Sequence, residues 1–176
     1  MHLTFRLLHD VNDLAKSGDV ETKAEILITA TWPDNNEDDI DLYVQDPTGN
    51  VVWYHAMAQG LVTLDRDDRG TYLDEVTING NKISIPLNQE TVSVRGLVPG
   101  EYIVNIYEFT DPEKAPVPVT VKVEKVNPRL SVVFYDTLIL NKQNDEKTAV
   151  RFTIDDAGNV VDINTRPTSL IQAVRK

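Results

Sequence analysis

From Lys23 to Trp32, apolar and polar side chains alternate with a period of two. Ile26, Ile28, Ala30 and Trp32 fall on one face; Glu25, Leu27, Thr29 and Thr31 fall on the other. That is the pattern of a half-buried β-strand. After the acidic stretch Pro33-Asp34-Asn35-Asn36-Glu37-Asp38, the alternation resumes with Ile40, Leu42 and Val44 set against Asp39, Asp41 and Tyr43. Asp46-Pro47-Thr48-Gly49-Asn50 is a turn by its chemistry: proline presets one dihedral, and Gly or Asn accepts positive φ. Residues 51–56 return as a third strand, so 40–56 reads as a hairpin.

The same signals recur downstream. Residues 76–78 and 82–85 flank Asn79-Gly80-Asn81, a strong hairpin signal. Strands follow at 91–95 and 101–109, the latter placing Tyr102, Val104, Ile106 and Glu108 on one face. In the strand at 117–126, Pro118 predicts an edge strand or a late start. Residues 130–140 form a long β-rich run, and 141–147 read as a polar, mobile loop. Residues 150–154 and 160–163 flank Asp155-Asp156-Ala157-Gly158-Asn159, a final hairpin. Only the ends read as helical. Leu7, Leu8, Val11, Leu14 and Ala15 have helical spacing, with Ser17-Gly18 as a stop, and 167–175 reads as a short closing helix.

No long helix separates the strands, which excludes a doubly wound α/β fold. The prediction is a mainly β chain, an antiparallel β-sandwich with an N-terminal helix and a C-terminal β-hairpin plus short helix. Its organisation reads as an amphipathic arm over 1–20, a sandwich core over 22–127, and a C-terminal β extension and tail over 128–176.

Composition narrows the chemistry. The 176 residues suffice for a full core without cross-links, and no cysteine is present. Disulfides, thiol catalysis and thiolate metal sites are therefore excluded. A net charge of −11 argues against nucleic-acid binding and for cations or basic partners. No apolar run reaches the ~20 residues of a membrane span. The histidines are His2, His9 and His55, no serine sits in a G-x-S-x-G elbow, and no glycine loop suits a phosphate. Paired carboxylates alone are weak evidence for a glycosidase, because 28 acidic residues produce many accidental pairs.

Two acidic clusters stand out. Asp39 and Asp41 leave one face of a strand with Cα atoms ~7 Å apart, close enough to converge on one ion. Asp34 lies in the loop just before them, and Asp65, Asp67 and Asp68 form the second cluster. Calcium takes six to eight oxygen ligands, and these loops offer oxygen without the histidine or cysteine that zinc prefers. The candidate calcium ligands are Asp34, Asp39, Asp41, Asp65, Asp67 and Asp68. Arg66 and Arg69 interleave the second cluster, so ion pairing is the competing use of its acids.

The run from Asp39 to Asn50 has the form D-x-D-L-x-V-x-D-P-x-G, and Leu64-Asp65-Arg66-Asp67-Asp68-Arg69-Gly70 the form L-D-x-D-D-R-G. Together with Pro86-Leu87-Asn88-Gln89-Glu90, Val98-Pro99-Gly100-Glu101-Tyr102 and Val117-Pro118-Val119-Thr120-Val121, they resemble a group of uncharacterised bacterial and phage-borne β-sandwich proteins. The resemblance covers about residues 22–166. It implies an accessory, binding or envelope-associated module rather than an enzyme. In some similar sandwiches it implies calcium at the D-x-D hairpin, here Asp39 and Asp41. Similar proteins often carry an apolar N-terminal anchor, but residues 1–20 are too polar and too short for one.

The expectation is a non-enzymatic binding or assembly module, stabilised by calcium, that joins another protein or its own copies in an envelope or other complex. The alternatives are a structural protein of a phage particle or similar assembly, and a carboxylate-dependent hydrolase.

Overall fold

The period-two segments pair into antiparallel sheets. A computed structural model describes residues 24–68, 75–84 and 87–175. The predicted helix over 1–20 lies outside these residues. The strands are β1 (Ile26–Thr31), β2 (Asp39–Gln45), β3 (Val51–Val52), β4 (Ala58–Gln59), β5 (Val62–Arg66), β6 (Glu75–Ile78) and β7 (Asn81–Ser84). They continue with β8 (Gln89–Val94), β9 (Gly100–Thr110), β10 (Val117–Lys125), β11 (Ser131–Leu140), β12 (Glu146–Ile154) and β13 (Val160–Asn164). One helical turn, α1 (Ile171–Val174), closes the chain.

One sheet has the order β11-β10-β1-β8-β5-β4 and the other β13-β12-β9-β2-β3. The β6-β7 hairpin stands apart, with Asn79 and Gly80 both at positive φ as a two-residue hairpin loop requires. The two large sheets face each other across one core. Ile26, Ile28, Ala30, Val92, Val94, Val119 and Val121 come from the first sheet, and Ile40, Leu42, Val44, Val104, Ile106, Val150 and Phe152 from the second. Tyr102 and Phe152, cross-strand partners, stack with ring centroids 5.1 Å apart, and the Tyr102 hydroxyl accepts the Val98 amide. The segment beyond residue 128 completes both sheets: β11 adds to the first, and β12 and β13 to the second.

Two local readings change. β10 is not an edge strand, because it lies between β1 and β11. Its pairing with β1 ends at Thr120, however, so Pro118 projects past the end of β1, where the missing N–H costs nothing on that side. The polar stretch at 141–147 is tied down rather than loose. The Asn144 amide donates to the Glu108 carbonyl, the Glu108 amide donates to the Asp145 carbonyl, and Glu146 already belongs to β12.

The tail docks on the outer face of the second sheet. The Glu146 carboxylate accepts from the Asn105 side-chain amide (2.7 Å), Ser169 Oγ (2.6 Å) and the Leu170 amide (2.7 Å). These bonds seat Leu170 in a small cluster with Tyr43, Val51, Ile103 and Tyr107.

Candidate functional site

Asp41 lies on β2, Asp67 follows β5, and Glu90 lies on β8, so three strands bring these acids to one place. One carboxylate oxygen from each falls within 4.8 Å of the others. The common centre of three oxygens this close lies at most about 2.8 Å from each, so a small adjustment lets one calcium ion touch all three. The local folding reason is a gap in the second sheet. β3 pairs with β2 only at Val44 and Gln45, which leaves the Leu42 amide without a strand partner on that side. Glu90 fills the gap: its Oε2 accepts the Leu42 amide at 2.6 Å. Glu90 shares the inward phase of Val92 and Val94 and is only 1% exposed. No N–H or hydroxyl donor reaches its buried Oε1, and the neighbouring Asp67 carboxyl is the hydrogen-bonding group beside it. Burial, then the Asp41 charge, pushes the Glu90 carboxyl well above the usual range, against the Leu42 bond that favours ionisation.

The remaining predicted ligands divide. Asp65 takes the Ser93 hydroxyl and an Arg95 guanidinium nitrogen at 3.0 Å. Asp68 pairs with Arg66 at 2.8 Å and accepts the Gln89 amide at 3.0 Å. These two acids fasten β5 to β8 and its approach, a structural use the interleaved arginines foreshadow. Asp39 is half-buried at the start of β2, and Asp34 is exposed in the preceding loop. Of the six predicted ligands, Asp41 and Asp67 are therefore brought together, and the third carboxylate is Glu90, which sequence reasoning did not select. The signal was present: Glu90 continues the apolar phase of its strand, where an acid has no ordinary place.

A second trio comprises Asp38, Glu108 and Asp111, with one oxygen from each again within 4.8 Å of the others. Asp38 precedes β2, Glu108 lies in β9, and Asp111 follows β9. Ile40 pairs with Glu108 and Asp39 with Thr110, so Phe109 is an extra residue in a β-bulge. Bulges re-aim neighbouring side chains, and here Glu108 keeps the inward phase of Val104 and Ile106. Asp38 and Glu108 are both 0% exposed. Burial, reinforced by the Asp111, Asp38 and Asp145 charges, pushes Glu108 up to about 7, with the Lys142 amide opposing weakly. Burial likewise raises Asp38, partly offset by bonds with Asn36 and Glu113. The loop that carries Asp38 is pinned by Asn88, whose side-chain amide donates to the Pro33 carbonyl (2.7 Å) and the Asn36 carbonyl (2.9 Å). Trp32 adds a bond from Nε1 to the Asp38 carbonyl at 3.1 Å.

No helix among the described residues is long and apolar enough to cross a membrane. Comparison of the chain with protein-family models, with curated proteins and with solved structures finds no match.

Proposed function

We propose that this chain is a non-enzymatic β-sandwich module for binding or assembly, stabilised by calcium held between β2, β5 and β8. The observation that carries the reading is Glu90, a buried carboxylate with one oxygen that no N–H or hydroxyl donor reaches, facing Asp41 and Asp67. A buried charge of this kind is costly unless compensated, and a divalent cation at this point compensates Glu90. Carboxylates of Asp41, Asp67 and Glu90 supply the hard oxygen donors calcium prefers.

Two further features support binding rather than catalysis. β11, an edge strand, presents Val132, Tyr135 and Ile139 to solvent, a row of apolar side chains suited to a protein partner or a second copy. The groove lined by Leu138, Glu146, Lys147 and Thr168 holds one carboxylate, and that carboxylate is engaged in anchoring the tail. It lacks the second acid that glycoside hydrolysis needs.

The test is thermal unfolding in calcium and in chelator. Calcium at ~100 times its dissociation constant adds about 2.7 kcal/mol, a rise of about 5–10 °C for a chain of this size. Glu90→Gln keeps an oxygen for the Leu42 amide and loses the charge, so its midpoint should rise less with calcium than that of wild type. A wild-type midpoint unchanged by millimolar calcium, or an undiminished response in Glu90→Gln, refutes the site. Sedimentation velocity of wild type and Tyr135→Lys examines assembly, with self-association expected to weaken in the variant.

A further inference from the structure

We propose a second calcium site, separate from the Glu90 cluster, formed by Asp38, Glu108 and Asp111 where the β9 bulge meets the loop before β2. None of the three is among the acids that the sequence marks as ligands, and the site does not depend on occupation of the other.

The geometry argues for an ion. The three ligating oxygens lie within 4.8 Å of one another, so their common centre is at most about 2.8 Å from each, near a calcium–oxygen bond length. No hydrogen bond of ordinary geometry reaches either buried oxygen of Glu108, which the Lys142 amide only approaches, and Oδ2 of Asp38 and Oδ1 of Asp111 are likewise buried without one. Glu108 has no solvent exposure and shares the inward phase of its strand, so it cannot turn to water without breaking the β2–β9 pairing around it. Among the described residues, no lysine or arginine forms an ion pair with any of the three.

A purely structural reading would require these oxygens to bond to protein. Asp38 partly meets it, since its Oδ1 accepts the Glu113 amide at 3.3 Å. That bond also draws the loop after β9 against the loop before β2. One oxygen from each of the three residues faces a common point instead. Three carboxylate oxygens meet there, and the second oxygen of Glu108 with water on the half-exposed Asp111 side fills out a calcium shell of six to eight. Calcium fits better than magnesium, because the loops on either side of the bulge impose no octahedron and offer no phosphate.

The site explains a feature of the fold that the core does not. Glu108 continues the inward phase of Val104 and Ile106 where a further Val or Ile would extend the core, and the bulge at Phe109 shifts the register of the residues that follow, before Asp111. An ion there joins the start of β2 to the end of β9.

Isothermal titration of the full chain with calcium chloride tests the proposal. Wild type is expected to bind two ions per chain. Glu108→Gln, which preserves shape and removes charge, is expected to bind one, and Glu90→Gln to retain the ion at Asp38, Glu108 and Asp111. Asp111→Asn, at a half-exposed loop position, should weaken the same site at least tenfold and gives the answer if Glu108→Gln does not fold. A single wild-type ion that is lost in Glu90→Gln and unaffected by Glu108→Gln or Asp111→Asn overturns this site and leaves the first. Absence of any calcium binding overturns both. Loss of one ion in Glu108→Gln or Asp111→Asn, with the Glu90→Gln variant still binding one, supports two independent sites.

Discussion

The same five-residue turn closes two hairpins, and its two copies differ chiefly in burial. In Asp46-Pro47-Thr48-Gly49-Asn50 the Asp46 amide donates to the Asn50 carbonyl (2.9 Å), and the Gly49 amide to the Asp46 carbonyl (3.0 Å). In Asp155-Asp156-Ala157-Gly158-Asn159 the equivalent bonds are 2.9 Å and 3.0 Å, and the glycines have φ of 91° and 80°. The first aspartate organises each turn. Asp46 accepts the Thr48 amide (2.9 Å), Thr48 Oγ1 (2.7 Å), the Asn50 amide (3.0 Å) and Asn50 Nδ2 (2.9 Å). Asp155 accepts the Ala157 and Asn159 amides and, at 3.4 Å, Asn159 Nδ2. Asp46 is 6% exposed. Its replacement by alanine therefore strips four bonds from a site that water enters poorly. Bonds to a charged group contribute about 1.5–3 kcal/mol each, but they are not additive, and the turn amides regain some water, so Asp46→Ala should cost about 2–4 kcal/mol. Asp155→Ala should cost clearly less, because water replaces its carboxylate.

The pH dependence follows from the same bonds. Burial alone would raise the Asp46 pKa, but the bonds from Thr48 and Asn50 outweigh it and hold it below the ordinary value. A folded pKa below the unfolded value of about 3.9 stabilises the protein above that value, and the contribution drains as pH falls through the folded one. Urea unfolding of wild type and both alanine variants at pH 7, 4 and 3 measures both effects. The Asp46→Ala deficit should be largest at pH 7 and shrink toward pH 3. Equal losses in the two variants, or an Asp46→Ala deficit that does not change with pH, would refute the reasoning.

Two further substitutions probe the packing. Gly100→Ala should destabilise by about 2–3 kcal/mol in urea unfolding, because Gly100 has φ of 128° and an added Cβ would lie 2.6 Å from Pro47 Cβ. A loss under about 0.5 kcal/mol would mean that the Pro47 turn yields freely. Leu170→Ala should cost about 2–4 kcal/mol, since Leu170 is 1% exposed and seats the tail against Tyr43 and Tyr107. Limited proteolysis should then cut near residues 167–175 in the variant first; an unchanged cleavage pattern would show that the Glu146 bonds alone hold the tail.

Strand identity was readable over most of the chain, because burial on one sheet face imposes a period of two, but not for β4 and β5, which the pattern did not mark. Ile26, Ile28 and Ala30 reach the core as their alternation predicts, and the Asn79-Gly80 and Gly158-Asn159 turns close hairpins through local dihedral preferences. These are near-neighbour effects. Which acids meet is not. Asp41, Asp67 and Glu90 are separated by 26 and 23 positions in the chain, and their convergence depends on which strands become neighbours across and between the sheets. Proximity in sequence favoured Asp65 and Asp68 as ligands, yet Arg66 of β5 and Arg95 just after β8 engaged them. Glu90 and Glu108 could have been suspected as acids in an apolar phase. That each lies near two other carboxylates follows from which strands and loops become neighbours, an arrangement that exists only once the strands have paired.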